Sequence, residues 1–262
     1  MGQYSCKIID REDITRDIVW ISLEAAEIAR ESFPGQFVHV RVSTGIDPLL
    51  RRPLSIHRVD HARGTIELLY RVVGSGTALM QSWERGRVVD LMGPLGNGFD
   101  VNKSFTHALV VAGGMGSAPI FFLVDELIAS GKSVTLFWGV KEGGEIFREE
   151  NFKNRGVEVR LASEDGSREY KGFVTDLMEE FLSDQKNASG LEGFVCGPKP
   201  MLKKIQTLAK RTSFDWQVSM EEKMACGVGV CLGCPVKMRQ GGFRMICSDG
   251  PVFNLKEVLL DD

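Results

Sequence analysis

Four cysteines near the C-terminus constrain this chain more than any other feature of its sequence. They form a C-x4-C-x2-C-x12-C run that consists of Cys226, Cys231, Cys234 and Cys247. Glycines stand between them, at Gly227 and Gly229 in the first interval and at Gly233 in the second. Because glycine adopts a positive φ without steric cost, such a loop can wrap around a bound group and turn its backbone amides inward.

The spacing of these cysteines favours an iron–sulfur cluster. The first two intervals are those with which plant-type ferredoxins bind a 2Fe-2S cluster. Four thiolates also suit a tetrahedral zinc ion, but zinc sites usually pair their cysteines in two short C-x2-C knuckles. Here three cysteines share one loop, and the fourth follows a possible turn at Gly241-Gly242. The sequence therefore predicts a 2Fe-2S cluster with all four cysteines as ligands, and structural zinc is the alternative.

The composition gives no case for a nucleic-acid or membrane partner. The chain has 262 residues, of which 43% are hydrophobic and 26% are charged, and its net charge is −3. This length allows two domains and a small third unit, and the charge does not favour an anionic surface. Glycines and a proline at 113–119 interrupt the longest apolar stretch, so no transmembrane segment is expected. The remaining cysteines, Cys6 and Cys196, suggest no disulfide framework, so a cytoplasmic location is expected.

Residues 1–101 are predicted to form an antiparallel β-barrel domain. Five segments alternate or cluster β-branched and apolar residues as strands do: Ile18–Leu23, Phe37–Val42, Leu54–Val59, Thr65–Val73 and Arg87–Met92. Turn residues separate them, at Gly35, Asp47-Pro48, Gly64 and Gly93-Pro94. Strands at this spacing, with no convincing helical pattern, favour a barrel.

Two segments of this barrel are candidates for binding a flavin. Arg52-Pro53-Leu54-Ser55 stands at a strand start, and the segment from Tyr70 to Thr77 carries a strand into a glycine-rich turn. A flavin needs a flat apolar slot, a hydrogen bond at its ring, and cations or free amides for its phosphates. Arg52 offers the cation, Ser55 the hydroxyl, and Gly76-Thr77 the amides of a helix over Ala78–Trp83. Taken alone, the segments also suit an ordinary strand entry and an ordinary turn.

The pattern changes near Phe105, and residues 102–213 predict a doubly wound parallel nucleotide-binding domain. Apolar strand segments at Ala108–Ala112, Val134–Trp138, Val157–Leu161 and Phe194-Val195 alternate with helical segments at Ile120–Ala129, Ile146–Lys153, Thr175–Leu182 and Pro200–Lys210. A βαβ succession of this kind builds a parallel sheet with helices on both faces.

Two turns of this domain follow strands, where a dinucleotide would bind. The first is a G-G-x-G-x-x-P turn that contains Gly113, Gly114, Gly116, Ser117 and Pro119. A glycine-rich turn before a helix lets the backbone approach a pyrophosphate, although a proline stands where the usual fingerprint ends in glycine. The second is Cys196-Gly197-Pro198, and ligands of such sheets bind outside the carboxyl ends of the strands. Cys196 also suits a buried core thiol.

Taken together, the three regions resemble the ferredoxin–NADP reductase superfamily over the whole chain. Within it, the chain is similar to the electron-transfer subunits of NAD-dependent (class 1B) dihydroorotate dehydrogenases. The most specific similarity lies at the end, in MEEKMACGVG from Met220 and CSDGPVF from Cys247. Leu54 departs from the wider superfamily, in which an aromatic residue stacks on the flavin. The C-terminal segment is also too short for a complete ferredoxin domain.

The resemblance implies three cofactors and a partner. FAD would lie between the two larger domains, on Arg52–Ser55, Leu69–Arg71 and Gly76-Thr77, and NAD would lie on the two turns of the second domain. Electrons from the FMN of a separate dihydroorotate-oxidising subunit would pass through the 2Fe-2S cluster and FAD to NAD⁺, in a heterotetramer that serves pyrimidine biosynthesis. No catalytic residue is expected, because the cofactors carry out the chemistry. The histidines, His39, His57, His61 and His107, are interpreted as strand or surface residues.

Residues 214–262 are expected to form the small cluster-binding domain. The loop Gly227–Cys234 and the segment Phe243–Met245 should face the partner. One alternative is a flavin and iron–sulfur NAD(P)H reductase subunit that serves a different partner such as ferredoxin; four cysteines weigh against it, because that branch has an aspartate among its cluster ligands. A second alternative is a zinc-stabilised module that binds a nucleotide without catalysis.

A preference for NAD over NADP is expected from one strand end. Ser163-Glu164-Asp165 stands where the adenine ribose is expected, and its carboxylates would repel a 2′-phosphate. Lys141 and Arg168 are nearby in sequence and act against this preference.

Overall fold

The N-terminal part of the chain closes into a six-stranded antiparallel barrel. The structure is a computed structural model that describes residues 1–184 and 189–260. The barrel strands are β1 (Gly2–Asp13), β2 (Ile18–Glu24), β3 (Phe37–Arg41), β4 (Arg52–Asp60), β5 (Thr65–Arg71) and β6 (Val88–Leu95), in the order β1-β2-β5-β4-β3-β6. Helices α1 (Ala26–Glu31) and α2 (Ser75–Gln81) lie between strands. The predicted barrel is confirmed.

Strand alternation decides which residues of β3 face the barrel core. Val38 and Val40 point inward and pack with the barrel's apolar residues. Phe37 and His39 point outward, as the period of two requires, yet they are only 3% and 0% exposed. They are buried because the rest of the chain covers this side of the barrel.

The sequence did not predict β1 or α1, and it placed α2 two to three residues too far along the chain. Only Cys6 and Ile8 of β1 are buried, and most other residues of the strand are polar or charged, so its apolar pattern is short. Helix α1 has only six residues. Helix α2 begins at Ser75 rather than Ala78, so Gly76 and Thr77 lie in its first turn.

A seven-stranded sheet forms the second large unit. It contains β7 (His107–Gly113), β8 (Ser133–Val140), β9 (Glu158–Ser163), β10 (Tyr170–Lys171), β11 (Leu191–Cys196), β12 (Trp216–Ser219) and β15 (Val252–Asn254), in the order β10-β9-β8-β7-β11-β12-β15. Every neighbouring pair is parallel except β12 with β15. Helices α3 (Ser117–Ala129), α4 (Glu150–Lys153), α5 (Val174–Asp184) and α6 (Lys199–Ala209) connect the strands. The predicted doubly wound sheet is confirmed, and the order of strands changes direction between β7 and β11, where such folds bind ligands.

Two details of this unit differ from the sequence prediction. The helix predicted over Ile146–Lys153 is wrong in its first half, because only Glu150–Lys153 is helical and Ile146 instead packs into the apolar layer beside the sheet. Strands β12 and β15 come from residues after 213. The domain bounds 1–101, 102–213 and 214–262 remain predictions.

The C-terminal segment packs against both larger units. It contains the hairpin of β13 (Pro235–Lys237) and β14 (Phe243–Met245). Cys234 and Cys247 belong to one apolar cluster with Phe37 of the barrel and Val111 of the sheet. This shared core holds the cysteine loop against the barrel. In the part of the chain that the structure describes, no helix is long and apolar enough to cross a membrane.

Candidate functional site

A cavity of about 480 Å³ opens between the barrel and the C-terminal segment. All the residues predicted to bind flavin line it: Arg52, Pro53, Leu54, Ser55, Leu69, Tyr70, Arg71, Gly76 and Thr77. Met220, Met224 and Pro251 also line it. The volume lies in the range of ligand and cofactor pockets. The structure therefore brings together residues that are far apart in the sequence.

One end of this cavity suits a phosphate. The Thr77 hydroxyl accepts hydrogen bonds from the backbone N–H groups of Val73 (2.9 Å) and Gly74 (3.2 Å), which fixes the turn before α2. Gly76 lies against the Arg52 guanidinium, because a Cβ there would lie 2.6 Å from Nη2 and closer still to Nε. A cation thus stands beside the backbone of the first turn of α2, an arrangement that attracts anions.

Residues of β5 take different positions at the cavity. The side chain of Tyr70 packs inside the barrel and is 2% exposed, so it is not a stacking surface for a ring in the cavity. Leu69, on the opposite face of the strand, packs with Ala118 of α3. Arg71 forms an ion pair with Glu145 of the second unit, and its Nε lies 3.3 Å from the carboxylate of Asp17. Arg71 therefore connects the barrel to the second unit.

A second cavity, of about 620 Å³, lies at the carboxyl ends of the parallel strands. Gly113, Gly114, Gly116, Gly197 and Pro198 line it, as the sequence predicts. The two turns approach each other closely, because a Cβ at Gly116 would lie 2.7 Å from the Cα of Gly197 and closer to the Cys196 carbonyl. Only glycine permits this approach.

Three residues predicted for this site lie behind the cavity wall. Ser117 and Pro119 are buried in the first turn of α3. Cys196 is 1% exposed and packs in the apolar layer beside the sheet. Its burial raises the pKa of the thiol. Neither cavity is lined by these three side chains.

The two cavities adjoin. Arg71, Met115 and Glu221 line both of them. The side chain of Glu221 is exposed to the cavities, but protein atoms surround its carboxyl group on the other sides. This desolvation raises the pKa of the carboxyl group. Ligands in the two cavities would therefore meet at these three residues.

The far edge of the second cavity is acidic. Glu164 and Lys141 line it. The Asp165 carboxylate accepts hydrogen bonds from the backbone and hydroxyl of Ser167, and these bonds lower its pKa to about 2. The Arg168 guanidinium donates to the Gly143 carbonyl at 2.7 Å and 3.0 Å. Arg168 is thus engaged elsewhere, whereas Lys141 lies on the cavity wall.

The four cysteines of the C-terminal run lie together, and backbone amides point at the sulfurs of Cys226 and Cys247. Cys226 Sγ accepts hydrogen bonds from the N–H groups of Val228 (3.5 Å) and Cys231 (3.4 Å), and Cys247 Sγ accepts one from Gly229 (3.1 Å). The sulfurs of Cys234 and Cys247 are 3.4 Å apart. Gly229 has a φ of +79°, as an inward-turned loop requires. Among the described residues, no three acidic, His or Cys side chains surround a single metal ion.

The environment of the cysteines differs along the loop. Hydrogen bonds, first that from Val228, lower the pKa of Cys226 to about 6, whereas burial raises the pKa of Cys247 to about 12. Cys231 is exposed. Beside it, Val230 and Leu232 are 78% and 65% exposed. Backbone N–H groups that donate to these sulfurs suit an iron–sulfur cluster, because they stabilise the negative charge of its thiolate ligands.

His39 reaches this loop from the barrel. Its ring is fully buried and packs against Gly227, where a Cβ would lie 2.6 Å from Cε1. Burial, aided by Arg51, lowers its pKa to about 4.

Sequence reasoning did not single out Met115, Glu221 and His39, which the structure places at the two cavities and against the cysteine loop. Met115 stands inside the glycine-rich turn, and Glu221 inside the C-terminal similarity, so both had a local signal. His39 had none, because nothing in the sequence shows which face of β3 another unit covers.

Three family models match the chain in the order of its structural units. An oxidoreductase FAD-binding domain matches residues 5–99, and an oxidoreductase NAD-binding domain matches residues 110–207. The iron-sulfur cluster binding domain of dihydroorotate dehydrogenase B matches residues 221–259. The predicted cofactors, FAD, NAD and an iron–sulfur cluster, are confirmed at this level.

Curated relatives match nearly the full chain. The dihydroorotate dehydrogenase B (NAD(+)) electron transfer subunit of Desulforamulus reducens is 40% identical over 253 residues, which cover 95% of each chain. The subunit of the same name from a Geobacillus species is 37% identical over 99% of this chain and 100% of that one.

Solved structures share the fold, and one of them does so over nearly the whole chain. The structure of an NADH-dependent reduced ferredoxin-NADP oxidoreductase, described for flavin-based electron bifurcation, has a TM-score of 0.88 at 25% identity and covers 98% of this chain and 90% of that one. A ferredoxin NADP+ reductase from Neisseria gonorrhoeae has a TM-score of 0.70 at 15% identity, over 84% of this chain and 100% of that one, and supports the fold alone.

Proposed function

Because the chain belongs to the family of dihydroorotate dehydrogenase B (NAD(+)) electron transfer subunits, we propose that it carries electrons between a dihydroorotate-oxidising catalytic subunit and NAD⁺. The reaction would serve pyrimidine biosynthesis. The observation that carries the proposal is that the two cavities adjoin at Arg71, Met115 and Glu221. The cysteine loop packs on the barrel that forms the first of these cavities.

The first cavity is proposed to hold FAD. Arg52 and the amides of Gly76-Thr77 would bind its phosphates, and Ser55 would donate a hydrogen bond to its ring. Pro53, Leu54 and Leu69 would supply the apolar slot, and Tyr70 would support it from inside the barrel. Arg71 is proposed to orient the flavin at the junction of the cavities, since Glu145 and Asp17 already hold its guanidinium.

The second cavity is proposed to hold NAD. Gly113, Gly114 and Gly116 would let the backbone approach the pyrophosphate, and Gly197 and Pro198 would border the nicotinamide. Ser117, Pro119 and Cys196 would act from behind, by fixing the two turns. Glu164 would disfavour a 2′-phosphate at the acidic edge.

Cys226, Cys231, Cys234 and Cys247 are proposed as the ligands of a 2Fe-2S cluster. The cluster would supply one-electron transfer and the flavin would convert single electrons into a hydride. The chain's own part is to hold the groups close together and to exclude water between them.

The partner is proposed to be an FMN-containing catalytic subunit, in a heterotetramer with two copies of each chain, in the cytoplasm. Exposed apolar side chains beside the cysteines support a partner surface at this place: Val230, Leu232 and Phe243 are 65–78% exposed. We name these three residues the cluster-side patch. Such side chains are favoured at interface centres.

Reconstitution tests this function. The isolated chain should reduce a dye with NADH but should not oxidise dihydroorotate, and dihydroorotate should reduce NAD⁺ only when the catalytic subunit is added. Leu232→Asp should weaken that coupling and spare dye reduction, whereas Val88→Asp, an equally exposed position on β6 (62%), should change neither. Dihydroorotate turnover by the isolated chain would defeat the assignment.

A ferredoxin partner is the second candidate, favoured by the similarity to the ferredoxin-NADP oxidoreductase structure. In the same assay, NADH-driven reduction of ferredoxin without any coupling to the dihydroorotate-oxidising subunit would support it instead.

A further inference from the structure

His39 is a buried polar side chain that has no hydrogen-bond partner in the part of the chain that the structure describes. Its Nδ1 and Nε2 are both inaccessible to solvent, and neither has a hydrogen-bond partner among the residues that the structure describes. Buried polar side-chain atoms are nearly always hydrogen bonded, and an unpaired one costs about 1–3 kcal/mol. An imidazole carries at least one N–H in either protonation state. His39 therefore needs an acceptor that the described chain does not supply.

The cysteine loop lies directly against this imidazole. A Cβ at Gly227 would lie 2.8 Å from His39 Nδ1 and 2.9 Å from Nε2. Gly227 has a φ of +70° and no side chain, so nothing separates the ring from the backbone next to Cys226. The unpaired nitrogens thus lie at the loop that carries three of the four cysteines.

The backbone of His39 connects this loop to the flavin cavity. His39 pairs with Pro53 across the ladder between β3 and β4, and its neighbour Val40 pairs with Arg52. Pro53 and Arg52 both line the first cavity. His39 therefore contacts the cysteine loop with its side chain and the flavin-lining strand with its backbone.

We propose that His39 is a positioning residue of the iron–sulfur cluster, whose imidazole N–H donates a hydrogen bond to a sulfur of the cluster or of its cysteines. This inference rests on the proposed placement of the cluster on the four cysteines. The bond holds the cluster loop against the barrel. It also raises the cluster's reduction potential, because hydrogen bonds to the sulfurs stabilise the more negative, reduced form.

Selective isotope labelling tests this bond directly. The full chain is produced with ¹⁵N-histidine, purified with its cofactors and reduced, and pulsed EPR is used to detect ¹⁵N hyperfine coupling to the cluster. We expect coupling from one histidine in the wild type. His39→Leu should abolish it. His61→Leu should preserve it, because His61 is an exposed histidine on the same barrel.

The reduction potential provides the second readout. At a fixed potential, His39→Leu should lower the ratio of reduced to oxidised cluster about tenfold, which corresponds to about 59 mV for one electron. His39→Gln, which restores a donor, should recover part of this loss, and His61→Leu should match the wild type. If His39→Leu takes up no cluster, His39→Gln takes its place in the labelled chain and should likewise abolish the histidine coupling.

The outcomes separate this inference from the proposed function. A wild-type chain that carries the cluster but shows no histidine coupling, or one whose coupling survives His39→Leu, overturns the role of His39 alone. A wild-type chain with no iron–sulfur cluster overturns both proposals.

Discussion

Replacing Gly76 with alanine should weaken flavin binding without unfolding the barrel. The new Cβ would lie 2.6 Å from Arg52 Nη2 and closer still to Nε, whereas ordinary contacts with carbon are about 3.5–4.0 Å. Arg52 must therefore move by about 1 Å or more. The side chain is flexible, so the fold tolerates this movement, and alanine itself favours the helix by about 0.5–1 kcal/mol.

The loss of flavin affinity follows from the bond that Arg52 would make. A hydrogen bond to a charged group contributes about 1.5–3 kcal/mol, and each 1.4 kcal/mol is a factor of ten in the dissociation constant. Displacing Arg52 should thus weaken FAD binding about 10- to 150-fold. Fluorescence titration of the flavin-free protein measures this constant, and thermal unfolding monitors the fold.

Gly144→Ala is the matched control. Gly144 lines neither cavity, and no atom of the described chain lies within 4 Å of a Cβ there. It should bind FAD as the wild type does. If Gly76→Ala binds FAD as tightly as Gly144→Ala, Arg52 has no role at the phosphates and the reasoning is refuted.

Four further expectations follow from the site. The wild type should contain about two irons and two acid-labile sulfides per chain. Alanine in place of Cys226, Cys231, Cys234 or Cys247 should remove both and leave the flavin. Wild-type protein that is purified anaerobically with stoichiometric zinc and no iron would contradict this. Flavin released by acid should migrate as FAD on chromatography, and migration as FMN would argue against a phosphate site apart from the ring. The chain should prefer NADH to NADPH. Glu164→Gln should raise kcat/KM for NADPH about fivefold, since the repulsion between two unit charges 4 Å apart in water is about 1 kcal/mol. Comparable kcat/KM values for both nucleotides in the wild type would overturn the preference. Burial lowers the pKa of His57 to about 3. Below about pH 6.5 the unfolded state therefore binds a proton at His57 that the folded state does not, and the free energy of unfolding falls by up to about 1.4 kcal/mol per pH unit as the pH drops from about 6.5 toward 3. His57→Phe should reduce this slope in denaturant titrations, and an unchanged slope would show that His57 does not cause it.

The sequence predicted the units that have strong local patterns. The continuous apolar strands His107–Gly113 and Ser133–Val140 and the glycine-rich turn between sheet and helix follow from residue type alone. The cysteine spacing likewise predicted an iron–sulfur cluster, because the ligands of a metal group must stand at particular intervals. The segment Arg52–Ser55 alone also suited an ordinary strand entry, and only the resemblance of the whole chain favoured a flavin there.

Features that depend on contacts between units were not predictable. Strand β1 has two buried residues, so its pairing with β2 and β6 decides its conformation. Whether Cys196 faces a ligand or the core depends on the layer that covers it. The ring of His39 on the outside of β3 is packed against Gly227 of the C-terminal segment, a contact between units. A single sequence does not show which surfaces of its units meet.

The most direct test of electron transfer through this chain is EPR spectroscopy of the isolated protein after anaerobic addition of NADH. Electrons should enter at the second cavity and reach the cysteine loop, giving the signal of a reduced 2Fe-2S cluster at about one spin per chain. If NADH bleaches the flavin but leaves the cluster oxidised, and a redox mediator then lets the same NADH reduce the cluster, the chain does not connect the nicotinamide to the cluster, and the central claim is contradicted.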